Sequence, residues 1–284
     1  ETGRKLEILM EDKPTGLEVC SNIQFYDGIS VIRSWTELKN NGEEDLGVEY
    51  VSSFALLGID KEGLLSTDEK LEVLIARNAW QKELIWNRFS MDQLGMSISQ
   101  PDKVRRSSQT ISVGNTGNWS TKNYLPMGCL KNKETDSILF WQIEQNGSWY
   151  WEISDQDGHM YLQLSGPTEH QSHWWKNLKP GDTFASVPVS VGSACGDVEE
   201  AAGELTKYRR AIRRKNEDNE KLPVIFNDYM NCLWGDPTTE KELPLIDKAK
   251  EAGCEYFCVD CGWYSAGFWW DGVGEWLPSK ERFP

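Results

Sequence analysis

Residues 223–284 constrain this chain more tightly than any other stretch. Pro223-Val-Ile-Phe-Asn-Asp is a short apolar strand, and Cys254-Glu-Tyr-Phe-Cys-Val-Asp260 is a second. Between them, Thr238 or Thr239 can cap a helix that Gly253 closes. Pro237 and Pro244 fit an irregular first turn, and Leu245, Ile246 and Ala249 can face a sheet. Strand, helix and nearly continuous apolar strand make a parallel β-α-β unit. Asp260 stands at the second strand's C-terminal end, where a (β/α)8 barrel places its functional groups. Such a barrel needs roughly 250 residues, so residues 223–284 hold only its first strands and helix.

The stretch before it reads differently. Residues 1–197 carry short apolar or alternating runs between turn signals, as in Ile29-Ser-Val-Ile-Arg-Ser-Trp-Thr-Glu and Leu46 to Leu57. Asn40-Asn-Gly-Glu and Gln145-Asn-Gly-Ser look like hairpin turns, since Asn and Gly tolerate positive φ. Many short strands of this kind make a large β-sandwich. Residues 198–222 read as a charged amphipathic helix and a polar linker. The expected class is therefore multidomain: β-sandwich at 1–197, helix and linker at 198–222, truncated barrel at 223–284.

Composition narrows the partners. A net charge of −15 over 284 residues disfavours nucleic acid and anionic membranes. No run approaches the roughly 18 apolar residues of a membrane helix. The first residues lack a signal peptide's apolar core, and Glu1 in place of Met fits a cut or processed N-terminus. Seven Cys in a chain this long do not make a dense disulfide framework, and a cytoplasmic location is expected. His159, His170 and His173 are scattered, so no metal and no cofactor are expected.

Asp260-Cys-Gly-Trp263 carries the chemistry. A strand-end acid can accept hydrogen bonds from hydroxyls, Gly262 permits a sharp turn, and Trp263 offers a flat apolar face to a sugar. A capping Asp with a core Trp would read the same way. The loop from Ser265 to Pro284 sets Trp269, Trp270 and Trp276 among Gly and acidic residues, more aromatic than a solvated connector.

Asn227-Asp-Tyr-Met-Asn, Glu251 to Tyr264, and Gly274-Glu-Trp-Leu-Pro-Ser-Lys-Glu-Arg-Phe-Pro resemble the barrel start of glycoside hydrolase family 36. That family contains α-galactosidases and α-N-acetylgalactosaminidases. Val31-Ile-Arg-Ser-Trp-Thr-Glu, Val48-Glu-Tyr-Val-Ser-Ser-Phe, Trp80-Gln-Lys-Glu-Leu-Ile-Trp and Ser120-Thr-Lys-Asn-Tyr-Leu-Pro-Met-Gly are similar to its N-terminal β-supersandwich. The resemblance implies a substrate with a terminal α-galactosyl-type sugar, on an oligosaccharide or glycoconjugate. Members read Asp-Asp-Gly-Trp at the second barrel strand, the two Asp holding O4 and O6 of galactose. Asp260 matches the first, and Cys261 departs from the second. Tyr229 falls where a stacking Trp often sits, and Asp228 beside it joins Asp260, Cys261 and Trp263 as a substrate-binding candidate. The family's chemistry is retaining hydrolysis by two carboxylates about 5 Å apart. Both are Asp on later barrel strands, so no catalytic residue is assigned here, and Asp271 and Glu275 do not match those positions. A fragment without them is expected to be inactive. Family members often form oligomers, which leaves a homo-oligomer open.

Other readings compete. A glycosyl-transferring relative, like the raffinose synthases, is one. Trp149-Tyr-Trp151 and His173-Trp-Trp175 could serve a non-catalytic carbohydrate-binding module, or could be core. Cys254, Cys258 and Cys261 have the spacing of a radical S-adenosylmethionine cluster site, but on one strand the first two lie about 13 Å apart. Buried thiols are the plainer reading. Cys232 and Cys261 lie just past adjacent strands, and a disulfide between them is a further option.

Overall fold

Ser137–Ile143 is apolar at nearly every position because both of its faces are covered. Leu139, Trp141 and Ile143 point into one core cluster, while Ile138 and Phe140 point into another on the opposite side. This alternation is the two-residue period of a strand with a layer on each face. The computed structural model describes residues 3–96, 109–156 and 158–284. They fall into two compact units, Glu1–Ile212 and Arg213–Pro284.

In chain order the first unit's strands are β1 (Gly3–Asp12), β2 (Leu17–Tyr26), β3 (Val31–Asn40), β4 (Leu46–Val48) and β5 (Ser52–Leu57). Next come β6 (Leu71–Arg77), β7 (Ile85–Ser90), β8 (Ile111–Asn115), β9 (Tyr124–Asn132) and β10 (Ser137–Ile143). The last are β11 (Trp149–Gln156), β12 (His159–Ser165), β13 (Lys176–Leu178), β14 (Thr183–Ala185) and β15 (Val189–Cys195). Among the described residues, a nine-stranded sheet runs β1-β2-β3-β15-β10-β9-β6-β7, with β14 also on β3. A four-stranded sheet runs β5-β12-β11-β8. All of these pairings are antiparallel.

The two sheets enclose the main core, where Trp141 of β10 meets Trp151 of β11 edge-on at 5.1 Å. Gly128 on β9 makes room, since a Cβ there would stand 2.5 Å from the Trp141 ring. The other face of the large sheet takes the helix Val198–Ile212. Its Ala201, Leu205 and Tyr208 pack on Val31, Leu74, Cys129, Ile138 and Phe140. The Tyr208 hydroxyl donates to Glu144, whose other oxygen accepts both Nε and Nη2 of Arg33 at 2.9 and 2.7 Å. This helix therefore lies within the first unit. Residues 217–221, expected as linker, form a short helix capped by the Asn216 side chain.

The sandwich is as expected, but its corners are not. Leu46 to Leu57 divides between β4 and β5, which lie in different sheets. Neither Asn-Gly is a hairpin: β3 pairs with β2, β14 and β15, and β10 pairs with β9 and β15. Gly42 and Gly147 lie outside the left-handed region, so no primed turn forms. Instead the buried Asn40 amide donates to the carbonyls of Glu44 and Leu178, both at 2.8 Å, and its oxygen accepts the Gly42 N–H. The turn chemistry is spent on binding a corner between sheets.

In the second unit, β16 (Ile225–Asn227) and β17 (Tyr256–Cys258) pair in parallel, with Asn227 opposite Cys258. The helix Thr239–Glu251 connects them. Thr238 caps it, its hydroxyl accepting from the Lys241 N–H. At its end Gly253 has φ +84°, and the amides of Gly253 and Cys254 donate to the carbonyls of Lys250 and Ala249. This is a Schellman closure. Pro244 sits inside the helix rather than in its first turn. The buried stripe is Glu242 and Ala249 with Leu245 half-buried, while Ile246, expected inward, is exposed.

Asn40→Ala should lower first-unit stability by about 2 kcal/mol, because two carbonyls lose a shared donor at a buried corner. A fall in the urea midpoint at unchanged m-value would show it.

Candidate functional site

The parallel pair is short, and side chains continue it. The Asp228 amide donates to the Cys258 carbonyl at 3.2 Å. The Asp228 carboxylate, 1% exposed, accepts the Asp260 amide at 2.7 Å. Next to it the Asn227 amide donates to the Asp260 carboxylate at 2.7 Å, and its oxygen accepts the Tyr229 N–H at 2.9 Å. Asp260 is exposed. The strand ends thus present one open carboxylate, oriented by an amide and anchored beneath by a sealed one.

Glu242 lies under this pair. It is buried, and neither of its oxygens meets a protein N–H or O–H donor. It faces Asp228. Burial, then a hydrogen bond to Asp228 and its charge, push the Glu242 carboxyl up to about 7. A second buried acid beside Asp228 is costly to ionise, which favours the protonated form of Glu242. Sequence reasoning passed over Glu242. Its signal was an acid three and seven residues before Leu245 and Ala249, on the stripe that faces the sheet.

Cys261 is buried, and its thiol is pushed up to about 11 by burial, by the charges of Asp260 and Asp228, and by a hydrogen bond to Asp260. At neutral pH it is a neutral donor beside Asp260, not a nucleophile. All seven cysteines are free, so the Cys232–Cys261 disulfide does not form. Cys254 lies in the turn before β17 rather than along the strand, and among the described residues no group of His, Cys, Asp or Glu is placed to hold a metal.

Two aromatic groups border the site. Tyr229 meets Trp234 and Trp269 edge-on at 5.8 and 5.9 Å. Trp263 packs with Tyr264 at 5.1 Å and Trp276 at 6.3 Å. The loops carrying them interlock through glycines. Gly235 at φ +82° presses on Trp269 and the Cys261 sulfur, and Gly262 at φ +87° lies against the Gly235 carbonyl. Trp234 itself sits at φ +54°, a strained conformation for a bulky residue.

Arg282 clamps these loops from below. Its buried guanidinium donates to Asp236 at 2.6 Å, to the carbonyls of Pro237 and Gly267 at 3.1 and 2.7 Å, and to the Ser265 carbonyl. Lys241 and Arg282 together hold the Asp236 carboxyl below its usual range. Asp271 and Glu275 are exposed in the same loop.

The Trp149-Tyr-Trp151 strip does not form a surface platform, since Trp149 and Trp151 are core residues. Trp174 packs on Phe184, while His173 and Trp175 are exposed. Among the exposed indoles, Trp80 and Trp119 share a shallow cavity of about 250 Å³ with Asn78 and Glu83.

Two outcomes follow. A carboxyl with a raised folded pKa stabilises the fold below its ordinary value of 4.5, and that stability is lost as pH rises through about 7. Across this window the second unit should lose on the order of 2–3 kcal/mol. Glu242→Gln, whose amide can donate to Asp228, should flatten that slope. Amide exchange over residues 255–262 at pH 5 and 8 reads both. Arg282→Lys keeps the charge but loses the fork, and should destabilise the same unit by about 2–3 kcal/mol.

No family model matches the chain. It is 23% identical over 295 residues to the alpha-galactosidase Mel36A of Lactobacillus acidophilus, covering 100% of this chain and 36% of that protein. It is 24% identical over 266 residues to a probable alpha-galactosidase G of Emericella nidulans, covering 90% and 32%. Its fold matches the glycoside hydrolase family 36 alpha-galactosidase AgaA from Geobacillus stearothermophilus at TM-score 0.79 and 19% identity, over 99% of this chain and 36% of that one. The alpha-galactosidase from Lactobacillus brevis matches at TM-score 0.75 and 17% identity, over 99% and 35%. The chain spans about a third of the length of these relatives. Over that span it is similar in sequence and fold to the N-terminal portion of the family 36 α-galactosidases.

Proposed function

We propose that this chain is the N-terminal part of a retaining α-galactosidase-like hydrolase that removes terminal α-linked galactose or N-acetylgalactosamine. In this reading residues 223–284 open a (β/α)8 barrel whose later strands supply the nucleophile and the acid/base. The observation that carries it is the exposed Asp260 carboxylate, steered by Asn227 and anchored by buried Asp228 at the C-terminal ends of two parallel strands. Asp260 would accept sugar hydroxyls, and Tyr229 and Trp263 would supply apolar ring faces. Asp228 would position Asp260 rather than touch sugar. The exposed apolar side chains Val224, Ile225 and Tyr256 fit a sheet that further β/α units cover. Structures of AgaA in complex with stachyose and with raffinose support an oligosaccharide substrate with a terminal α-galactosyl group.

A second reading, glycan binding by the sandwich without catalysis, has one observation in its favour: the exposed pair Trp80 and Trp119 at one cavity. Raffinose binding by the 284-residue chain that Trp80→Ala removes would favour it.

The deciding assay is hydrolysis of p-nitrophenyl α-galactoside and p-nitrophenyl α-N-acetylgalactosaminide by this chain and by a polypeptide extended to the relatives' length. Turnover is expected in the extended protein alone, and turnover by the 284 residues would overturn the assignment. In the extended protein Asp260→Asn should lower kcat/KM about 100-fold or more. Cys261→Asp should shift the ratio toward galactose.

A further inference from the structure

The outer face of the four-stranded sheet carries a cleft of about 310 Å³. Trp151 and Ile153 of β11 and Leu162 and Leu164 of β12 face the main core. Strand alternation therefore sends Tyr150, Glu152, Tyr161 and Gln163 to the other side. A solvated sheet face would leave such side chains separate. Here Glu152 is held twice: one oxygen accepts the Tyr150 hydroxyl at 2.6 Å and the other accepts the Tyr161 hydroxyl at 2.8 Å. Burial and then the bond to Glu152 push both hydroxyls above their ordinary value of 10.0, so both stay donors. Gln163 stands opposite Glu152 in the ladder, and its amide donates to the Tyr50 hydroxyl.

The walls are fixed as firmly as the floor. The Glu169 amide donates to the Glu49 carbonyl at 2.8 Å, which ties the short helix Glu169–Ser172 to the stretch carrying Tyr50. Thr168, 2% exposed, caps that helix by accepting the Gln171 N–H at 3.0 Å. From the loop after β8, the Thr116 hydroxyl donates to the Gln171 carbonyl at 3.2 Å. Between these walls Tyr150 is only 8% exposed, although it points away from the core.

We propose that this cleft is a carbohydrate-binding site of the first unit, which takes a neutral sugar unit of an oligosaccharide. Its volume lies at the lower end of the range for ligand clefts, roughly 300–1,000 Å³. Among the described residues no Lys or Arg lines it, so an anion finds no charged partner. A cation gains little, because the Glu152 charge already meets two donors while Glu49 and Glu169 are exposed to water. Sugar hydroxyls both donate and accept, and the cleft offers both kinds of partner. Each Glu152 oxygen keeps a second lone pair, Gln163 offers its amide carbonyl, and His170 offers ring nitrogens. Tyr50 and Tyr150 add aromatic carbon for the apolar C–H side of a sugar ring. All of these residues belong to the first unit, so the site is independent of whether residues 223–284 open a barrel.

Saturation-transfer NMR of the 284-residue chain with raffinose tests it, in a background carrying Asp260→Asn and Trp80→Ala. That background disables the strand-end carboxylate and the Trp80 cavity, so sugar signals report on this cleft. Binding is expected with a Kd on the order of 1 mM, a free energy of about −4 kcal/mol. Tyr50→Ala and Glu152→Gln should each weaken it about tenfold or more, since each removes a group that the sugar contacts. Neither residue belongs to a core cluster, and an unchanged far-UV circular dichroism spectrum shows an intact sandwich. Leu64→Lys, at a fully exposed loop position, should leave binding unchanged. No transfer up to about 50 mM raffinose, or binding indifferent to both Tyr50→Ala and Glu152→Gln, would overturn the proposal. Binding of spermidine without raffinose, lost in Glu152→Gln, would make the cleft an organic-cation site and would equally overturn it. Raffinose binding seen only before Asp260→Asn and Trp80→Ala are introduced would assign it to those sites and not to this one.

Discussion

The sealed carboxylate of Asp228 is the interaction on which the strand-end geometry depends. Two three-residue parallel strands have few ladder bonds of their own, and water would compete for each end. Asp228 extends the ladder in both directions, giving its amide to Cys258 and accepting the amide of Asp260. A charge-assisted bond of this kind is about twice as strong as a neutral one, and here it is shielded from solvent. It fixes the backbone from which the open carboxylate projects. The raised carboxyl of Glu242 follows, because burial and the neighbouring Asp228 make a second charge there costly.

The loops past the strands are tied to this base by backbone packing and by one cation. Gly262 comes so near the Gly235 carbonyl that a Cβ would stand 2.0 Å from it, and both glycines have positive φ. No other residue offers both the space and the conformation. Arg282 then spreads its fork over carboxylate and carbonyl acceptors from both loops. Lys, a point charge without a planar fork, could satisfy only part of that set. The strained backbone at Trp234 is tolerated because its neighbours are fixed on both sides.

Much of this was legible in the sequence, and the failures have physical causes. The β-α-β unit, its Thr cap, its closing Gly253 and the strand-end Asp260 could be read because each follows from local rules. The Asn-Gly corners misled because local turn chemistry cannot say where the next strand goes. At Asn40 the amide was taken by carbonyls of Glu44 and of Leu178, the latter remote in sequence, and the turn never formed. Ile246 looked inward by spacing, but Glu242 took the inward stripe. That choice makes sense only once Asp228 is seen beneath the sheet end. Arg282 stood in plain view with no local reason to be buried, since its acceptors come from loops distant in the chain.

Cys261 gains its meaning from the same constraint. The position lies against Gly235 and next to Asp260 and Asp228. An aspartate there would bring a further negative charge to a cluster that already holds Asp228, Glu242 and Asp260, with no cation on either strand end to offset it. The thiol keeps the volume small, donates to Asp260 instead of repelling it, and remains neutral because burial and its acidic neighbours raise it so far. The exchange lowers electrostatic strain while it removes one acceptor for a ligand hydroxyl. In the proposed reading, such a site would recognise hydroxyls through Asp260 and leave the space over Cys261 less demanding of a charged or strongly polar partner.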